Sequence, residues 1–176
     1  MDKKEVLEVW IDKYAQRLVR LAYTYVRDYL KAEDQVQEAF IKAFHSMDQL
    51  KNKEEPFSWL ARIVINECKS TYRKSLREVI SDFIPERKQE SSEDAYLQSV
   101  KEEEIHNAVN ELPKHYSLPI TLFYFEELAI QEISQILNLN IGTVKSRLAR
   151  GRQLLSRKIK EDGYGGKRVK ISKNAL

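Results

Sequence analysis

The first apolar positions of the chain, Leu7, Trp10, Ile11, Tyr14, Leu18, Leu21, Ala22 and Tyr25, recur every three or four residues and predict one stripe of an amphipathic helix. Asp28 then offers a turn or a helix N-cap. A second stripe at Val36, Ala39, Phe40, Ala43, Phe44 and Met47 predicts a helix from about Ala32 to Leu50, with Glu33, Asp34, Gln35, Gln37 and Glu38 on its other face. The pattern breaks between Lys51 and Glu55, and Pro56 falls where proline is best tolerated, in the first turn of the next helix. That third helix carries Phe57, Leu60, Ile63, Val64 and Cys68 on its apolar side and Arg62, Asn66, Lys69, Ser70, Arg73, Lys74 and Arg77 elsewhere.

Periodicity then fades. From Glu78 to Ser99 a proline, paired serines and an acidic excess predict a mobile linker, in which Ile80, Phe83 and Ile84 either extend the preceding helix or dock on a partner. A short helix with Ile105, Ala108, Val109 and Leu112 follows, then an apolar run at Leu118, Leu122, Phe123 and Phe125 bracketed by Pro113 and Pro119. Ile130, Ile133, Ile136 and Leu137 mark one more short helix, and after three residues of turn Val144, Leu148 and Leu155 mark another. This is a helix-turn-helix pattern, with Asn138 suited to a left-handed turn position and Asn140 placed to cap the second helix.

Composition narrows the class. With 176 residues, 5 Gly and 4 Pro, the chain is too short for a large enzyme and too poor in breakers for a many-stranded barrel, so an all-α protein is expected. One cysteine excludes an internal disulfide framework, and three scattered histidines give no metal-ligand spacing. Cys68, on or beside an apolar stripe, reads as a buried inert thiol. No stretch has the uncharged length of a membrane span, and the charged opening MDKKEVLEVW is unlike a signal peptide. A cytoplasmic location is the simplest expectation.

The net charge of +3 hides a partition. Residues 1–77 hold 15 basic and 12 acidic groups, residues 78–111 hold 3 and 10, and residues 112–176 hold 12 and 5. Two basic blocks around an acidic one fit two modules that meet a polyanion and a spacer that does not, although chance segregation on a solvated surface gives the same count. The chemistry of the last block is more specific. With Val144 and Leu148 turned inward, the second helix of the motif presents Thr143, Lys145, Ser146, Arg147, Arg150 and Arg152, groups that neutralise phosphates and reach base edges in a major groove. The alternative is a basic solvated helix in a three-helix bundle.

The segments AEDQVQEAFIKAF, FSWLARIVINECKSTYRK and ELPKHYSLPITLFYFEELAIQEISQILNLNIGTVKSRLARGRQLL, in this order, resemble bacterial RNA polymerase sigma factors of the extracytoplasmic-function group of the sigma-70 family. The resemblance covers about residues 10–77 and 104–158. It implies two small helical domains: a three-to-four-helix sigma region 2 over residues 1–77 and a helix-turn-helix sigma region 4 over 104–160. An acidic flexible linker at 78–103 joins them, and a basic disordered tail at 161–176 follows. It also implies that Asp34, Gln37, Glu38 and Phe40 bind core polymerase. Arg62, Asn66, Ser70, Arg73 and Lys74 serve the downstream promoter element, and Thr143, Lys145, Ser146, Arg147 and Arg150 the upstream one. An extruded base needs a shaped pocket, hydrogen-bonding groups and nearby cations, which the downstream set supplies. Trp59 and Phe57 are candidates to stack on bases, with core packing the better expectation for Trp59.

Some positions depart from the family pattern. Ala129 stands where a Ser commonly caps the first helix of the motif, Ser134 where a small apolar residue is usual, Asn138 where Gly is usual, and Ser70 at a position often acidic or amide-bearing. Pro119 is expected to reshape the helix before the reader. The implied function is a transcription-initiation factor with core RNA polymerase, promoter DNA and an anti-sigma factor as partners. No small-molecule substrate, cofactor, metal, catalytic residue or membrane insertion is expected. Two rival readings are a dimeric helix-turn-helix repressor or activator, which binds duplex tightly without polymerase, and an interaction module that keeps the fold without reading promoters.

Overall fold

The computed structural model describes residues 2–50, 52, 54–81 and 100–161, and these are all helix, turn or short connection. Helix α1 runs Lys3–Val26, α2 Tyr29–Ser46, α3 Phe57–Ser81, α4 Val100–Asn110, α5 Lys114–Ile120, α6 Ile130–Leu137 and α7 Ile141–Glu161. Both the flexible segment expected within 78–103 and the disordered tail expected at 161–176 fall largely outside the described residues. At their described margins the helices reach further than expected: α3 continues to Ser81, α4 already begins at Val100 and α7 ends at Glu161.

Helices α1, α2 and α3 pack on one another around Trp10, Tyr14, Leu18, Leu21, Ala22, Val36, Ala39, Ala43, Met47, Leu60, Val64, Ile65 and Cys68, all buried. The predicted stripes therefore face one core, each contributing a three-or-four-residue repeat. Local chemistry fixes the ends. Asp2 and Glu5 form a reciprocal capping box at the start of α1, earlier than the apolar pattern alone located it. Arg27 turns left-handed, at φ 59°, to end α1, and the Asp28 carboxylate accepts from Lys31 N–H at 3.1 Å to start α2. The chain thus reverses within two residues. Helix α2 begins at Tyr29 rather than Ala32 and finishes in a 3-10 turn at Met47–Gln49.

In the second half, α5 packs along α7, with α4 and α6 beside them, around Ala108, Val109, Leu112, Leu118, Ile120, Leu122, Ile133, Ile136, Val144, Leu148 and Leu155. The expected effect of Pro119 is visible: α5 stops at Ile120 and the chain widens into a π turn at Thr121–Phe125. Proline cannot donate the backbone hydrogen bond that a regular helix takes at that position. Close approach of α5 and α7 depends on Gly151, where a Cβ would lie 2.6 Å from Ile120 Cδ1 and 3.4 Å from Tyr116 Cβ. No described helix is long and apolar enough to cross a membrane.

The two halves touch. Helix α6 lies against α3, and α5 with the π turn lies against α1.

Candidate nucleic-acid interface

Helix α7 is the best-defined element for nucleic acid. The turn from Asn138 to Asn140 separates it from α6. Asn138 adopts the left-handed conformation expected of it, φ 55° and ψ 54°, and the Asn140 side chain accepts from Thr143 N–H at 2.7 Å as the N-cap. The departures from the family pattern find local solutions. Ser134 Oγ donates to Leu139 O at 2.5 Å while Leu139 N donates back to Ser134 O at 3.0 Å, so the serine clasps the turn. Ala129 has no oxygen to cap α6, yet Glu132 still accepts from Ala129 N–H at 2.9 Å, leaving half of a capping box.

Val144 and Leu148 are buried as expected, which turns the polar arc of α7 outward. Lys145, Ser146, Arg150 and Arg152 are exposed, and Thr143 and Arg147 half-buried. Seven basic residues and one acidic one lie along α7, the acidic residue at its last position. Arg150 reaches Gln153 at 3.1 Å and Arg152 the Tyr124 hydroxyl at 3.3 Å, contacts that orient the guanidinium groups without neutralising them. The result is a cationic arc on a rigid, capped helix, the geometry for phosphate and major-groove contacts.

Helix α3 carries a second candidate set. Arg62, Asn66, Arg73 and Lys74 are exposed and Ser70 is half-buried; their spacing brings them onto one arc of the helix. Lys69 belongs to the same side, and burial together with the neighbouring Arg73 lowers the pKa of its ammonium. Phe57 is buried against Tyr14, 5.6 Å between ring centroids, and Trp59 packs edge-to-face on Trp10 at 6.1 Å. Phe57 is thereby taken into the helical core, and Trp59 is half-buried against it. Cys68 is fully buried, and burial pushes its thiol up to about 12, as an inert core thiol requires.

Helix α2 presents the third set. Asp34, Gln37 and Glu38 are exposed, but Phe40 is 7% exposed and packs into the core, because it falls on the apolar stripe with Val36 and Ala43. It does not share the exposed face of Asp34, Gln37 and Glu38. Gln35 is 8% exposed, and its side-chain oxygen accepts from Thr71 Oγ1 at 2.8 Å, tying α2 to α3. Pattern reading missed two other residues, Leu30 and Ile41, which are 72% and 52% exposed. With Asp34 and Gln37 they follow an i, i+4, i+7, i+11 spacing, one continuous stripe. The available signal was an apolar residue out of phase with the buried repeat.

No group of three or more potential metal ligands comes together among the described residues. Residues 10–78 match the family model for sigma-70 region 2, and residues 102–155 that for sigma-70 region 4. The chain is 35% identical over 153 residues to the RNA polymerase sigma factor SigV of Bacillus subtilis, spanning 86% of this chain and 90% of the relative. It is 29% identical to the ECF sigma factor SigW of the same organism, spanning 86% and 87%. Among solved structures it is similar to the sigma factor RpoE of Bartonella quintana, in co-crystals with the anti-sigma factor NepR. There the TM-score is 0.76 at 26% identity, over 88% of this chain and 97% of that one. The chain belongs to the extracytoplasmic-function group of sigma-70 RNA polymerase sigma factors, initiation factors that bind core polymerase and promoter DNA and are not enzymes.

Proposed function

We propose that this sigma factor divides its work among three helices. The α2 stripe of Leu30, Asp34, Gln37, Glu38 and Ile41 docks on core polymerase. The α3 arc of Arg62, Asn66, Ser70, Arg73 and Lys74 holds the separated downstream element, and the α7 arc of Thr143, Lys145, Ser146, Arg147 and Arg150 reads the upstream element as duplex. The observation that carries this reading is that the exposed chemistry differs from helix to helix. Carboxylates, an amide and apolar groups stand on α2, an amide with flanking cations on α3, and a dense cationic arc on α7.

Each set suits a different partner. Exposed apolar groups next to carboxylates suit a protein surface. An asparagine among arginines suits a base extruded between phosphates. A capped basic helix suits a major groove. The work is cytoplasmic, where polymerase and promoters are. An anti-sigma protein is the fitting regulator, since the similar sigma factor RpoE was co-crystallised with the anti-sigma factor NepR.

Run-off transcription with purified core polymerase on a promoter library is the direct test. Promoter-specific initiation that disappears in Asp34→Ala/Gln37→Ala/Glu38→Ala through loss of core binding, and in Arg147→Ala/Arg150→Ala through loss of the upstream element, supports the division. Specific duplex binding of equal strength without core, and no initiation with it, points instead to a dimeric repressor or activator.

A further inference from the structure

Three consecutive aromatics, Phe123, Tyr124 and Phe125, fill the π turn, and all three are half-buried. The wider turn that follows Pro119 gives them different neighbours. Phe125 stacks on His106 of α4, 3.8 Å between ring centres. Tyr124 stands edge-on to Phe123 at 4.9 Å, and its hydroxyl oxygen accepts from Arg152 Nη1 of α7 at 3.3 Å. Single π turns of this kind recur at functional sites, and this one brings a polar group to the side of the duplex-facing helix.

The position of Arg152 on α7 sets what it can reach. The helix advances about 10 Å from Thr143 to Arg150, against a major groove about 12 Å wide. Arg152 follows where the helix leaves the groove. It lies seven residues after Lys145 and nearly in line with it, on a flank of α7, whereas Ser146 and Arg150 stand at the centre of the outward arc. The wall beside such a flank is a sugar-phosphate backbone, which positions a reader without informing it of sequence.

The chemistry of the pair suits that wall. Arg152 is exposed, and the ion pairs among the described residues do not include it, so its charge is available to an anion. Glu126, the carboxylate nearest to Tyr124 in sequence, is buried and held by Arg17 at 2.8 Å. Because the tyrosine oxygen accepts from Arg152, its own proton is left for another acceptor. A guanidinium with a hydroxyl donor beside it matches a phosphate group, which takes several charge-assisted hydrogen bonds at once. Ala149, Arg152, Gln153, Ser156 and Arg157 line a shallow hollow on this flank, where the small alanine lets a backbone come close.

We propose that Tyr124 and Arg152 form a phosphate clamp on the upstream duplex: Arg152 takes a backbone phosphate at the edge of the major groove, while Tyr124 holds the guanidinium in place and donates its hydroxyl to the same phosphate. The clamp fixes the register of α7 on the duplex. It rests on the assignment of α7 as the upstream reader and extends that interface to a residue outside the helix-turn-helix.

The test uses holoenzyme assembled from core polymerase and the full chain, on a promoter fragment recovered from the run-off library. Upstream-element phosphates are replaced one at a time by uncharged methylphosphonates. Arg152→Ala is expected to lower affinity about tenfold and Tyr124→Phe about threefold, while the preference for the matched over a scrambled upstream element stays within about twofold. The logarithmic salt slope should fall by about 1 in Arg152→Ala and hold steady in Tyr124→Phe. A phosphate whose neutralisation weakens the unaltered protein should become indifferent in Arg152→Ala, and Tyr124→Phe should add nothing in that background. The same methylphosphonate profile in Arg152→Ala and the unaltered protein overturns the clamp. So does a changed preference for the matched element in Arg152→Ala, which makes this arginine a base reader. Additive losses in the double variant overturn the role of Tyr124. Binding indifferent to every upstream methylphosphonate and to scrambling sinks the assignment of α7 itself; sensitivity to both that Arg152→Ala leaves untouched sinks only the clamp.

Discussion

The two proposed reading helices, α3 and α7, carry different exposed chemistry in different settings. Helix α7 ends a compact motif, its start is capped by Asn140, and its cations face outward on a helix held by Val144, Leu148 and Gly151. Helix α3 packs against α1 and α2 in the first half and also contacts α6 of the other half. A rigid duplex asks for a rigid protruding helix, whereas a separated strand exists only after melting. The helices thus differ both in their exposed residues and in what else they hold.

The largest effect that separates them comes from the cations of α7. Arg147→Ala/Arg150→Ala is expected to weaken upstream duplex binding by about 2–6 kcal/mol if each arginine makes a good base contact, and to reduce the salt slope by about 2. Asn66→Ala should leave both quantities unchanged and lower only open-complex formation. Fluorescence anisotropy over a salt series and permanganate footprinting separate the two; a duplex-binding loss in Asn66→Ala would erase the distinction.

Packing separates them next. Gly151→Val drives new atoms into Ile120 and Tyr116 and is expected to destabilise the second half by about 1–3 kcal/mol without shifting hydrogen exchange in α1 and α2. A smaller effect follows from the caps. Asn140→Ala should cost about 0.5–2 kcal/mol, and Ala129→Ser should gain an amount of the same order by completing the box with Glu132; chemical denaturation measures both signs.

The smallest effect over the accessible pH range belongs to the first half. Burial raises the Cys68 thiol from 9.0 to about 12 and raises Tyr25 as well, with Cys68 and Tyr72 adding to the latter. Both groups stay neutral in the fold after the unfolded chain has begun to ionise. Their contribution is complete below about pH 9 and is lost as pH rises from there toward 12. Denaturation midpoints between neutral pH and pH 10.5 should fall for α1–α3, and Cys68→Ala should flatten part of that slope.

Much of the candidate site was legible because it depends on local rules. The left-handed Asn138, the Asn140 cap, the outward cations of α7 and the three-helix repeat of the first half each follow from a few adjacent residues, and the structure bears them out. Phe40, which the family resemblance implies for polymerase binding, lies instead in the core. Its own phase, four residues after Val36 and three before Ala43, already assigned it to the core. Gln35 shows the opposite limit: a glutamine on a polar-looking face is buried because Thr71, thirty-six residues later, supplies its partner.

The sequence by itself determined the helices, their order, the inward stripes and the chemistry of each exposed arc, since helical periodicity and capping act over a turn or two. Tertiary structure alone decided which cations are occupied. Arg17 and Glu126 are 109 residues apart, Arg27 and Ser117 are 90, and Lys69 and Leu137 are 68. No periodicity spans such distances, because these bonds form only when the two halves meet and their charged groups exchange water for one another.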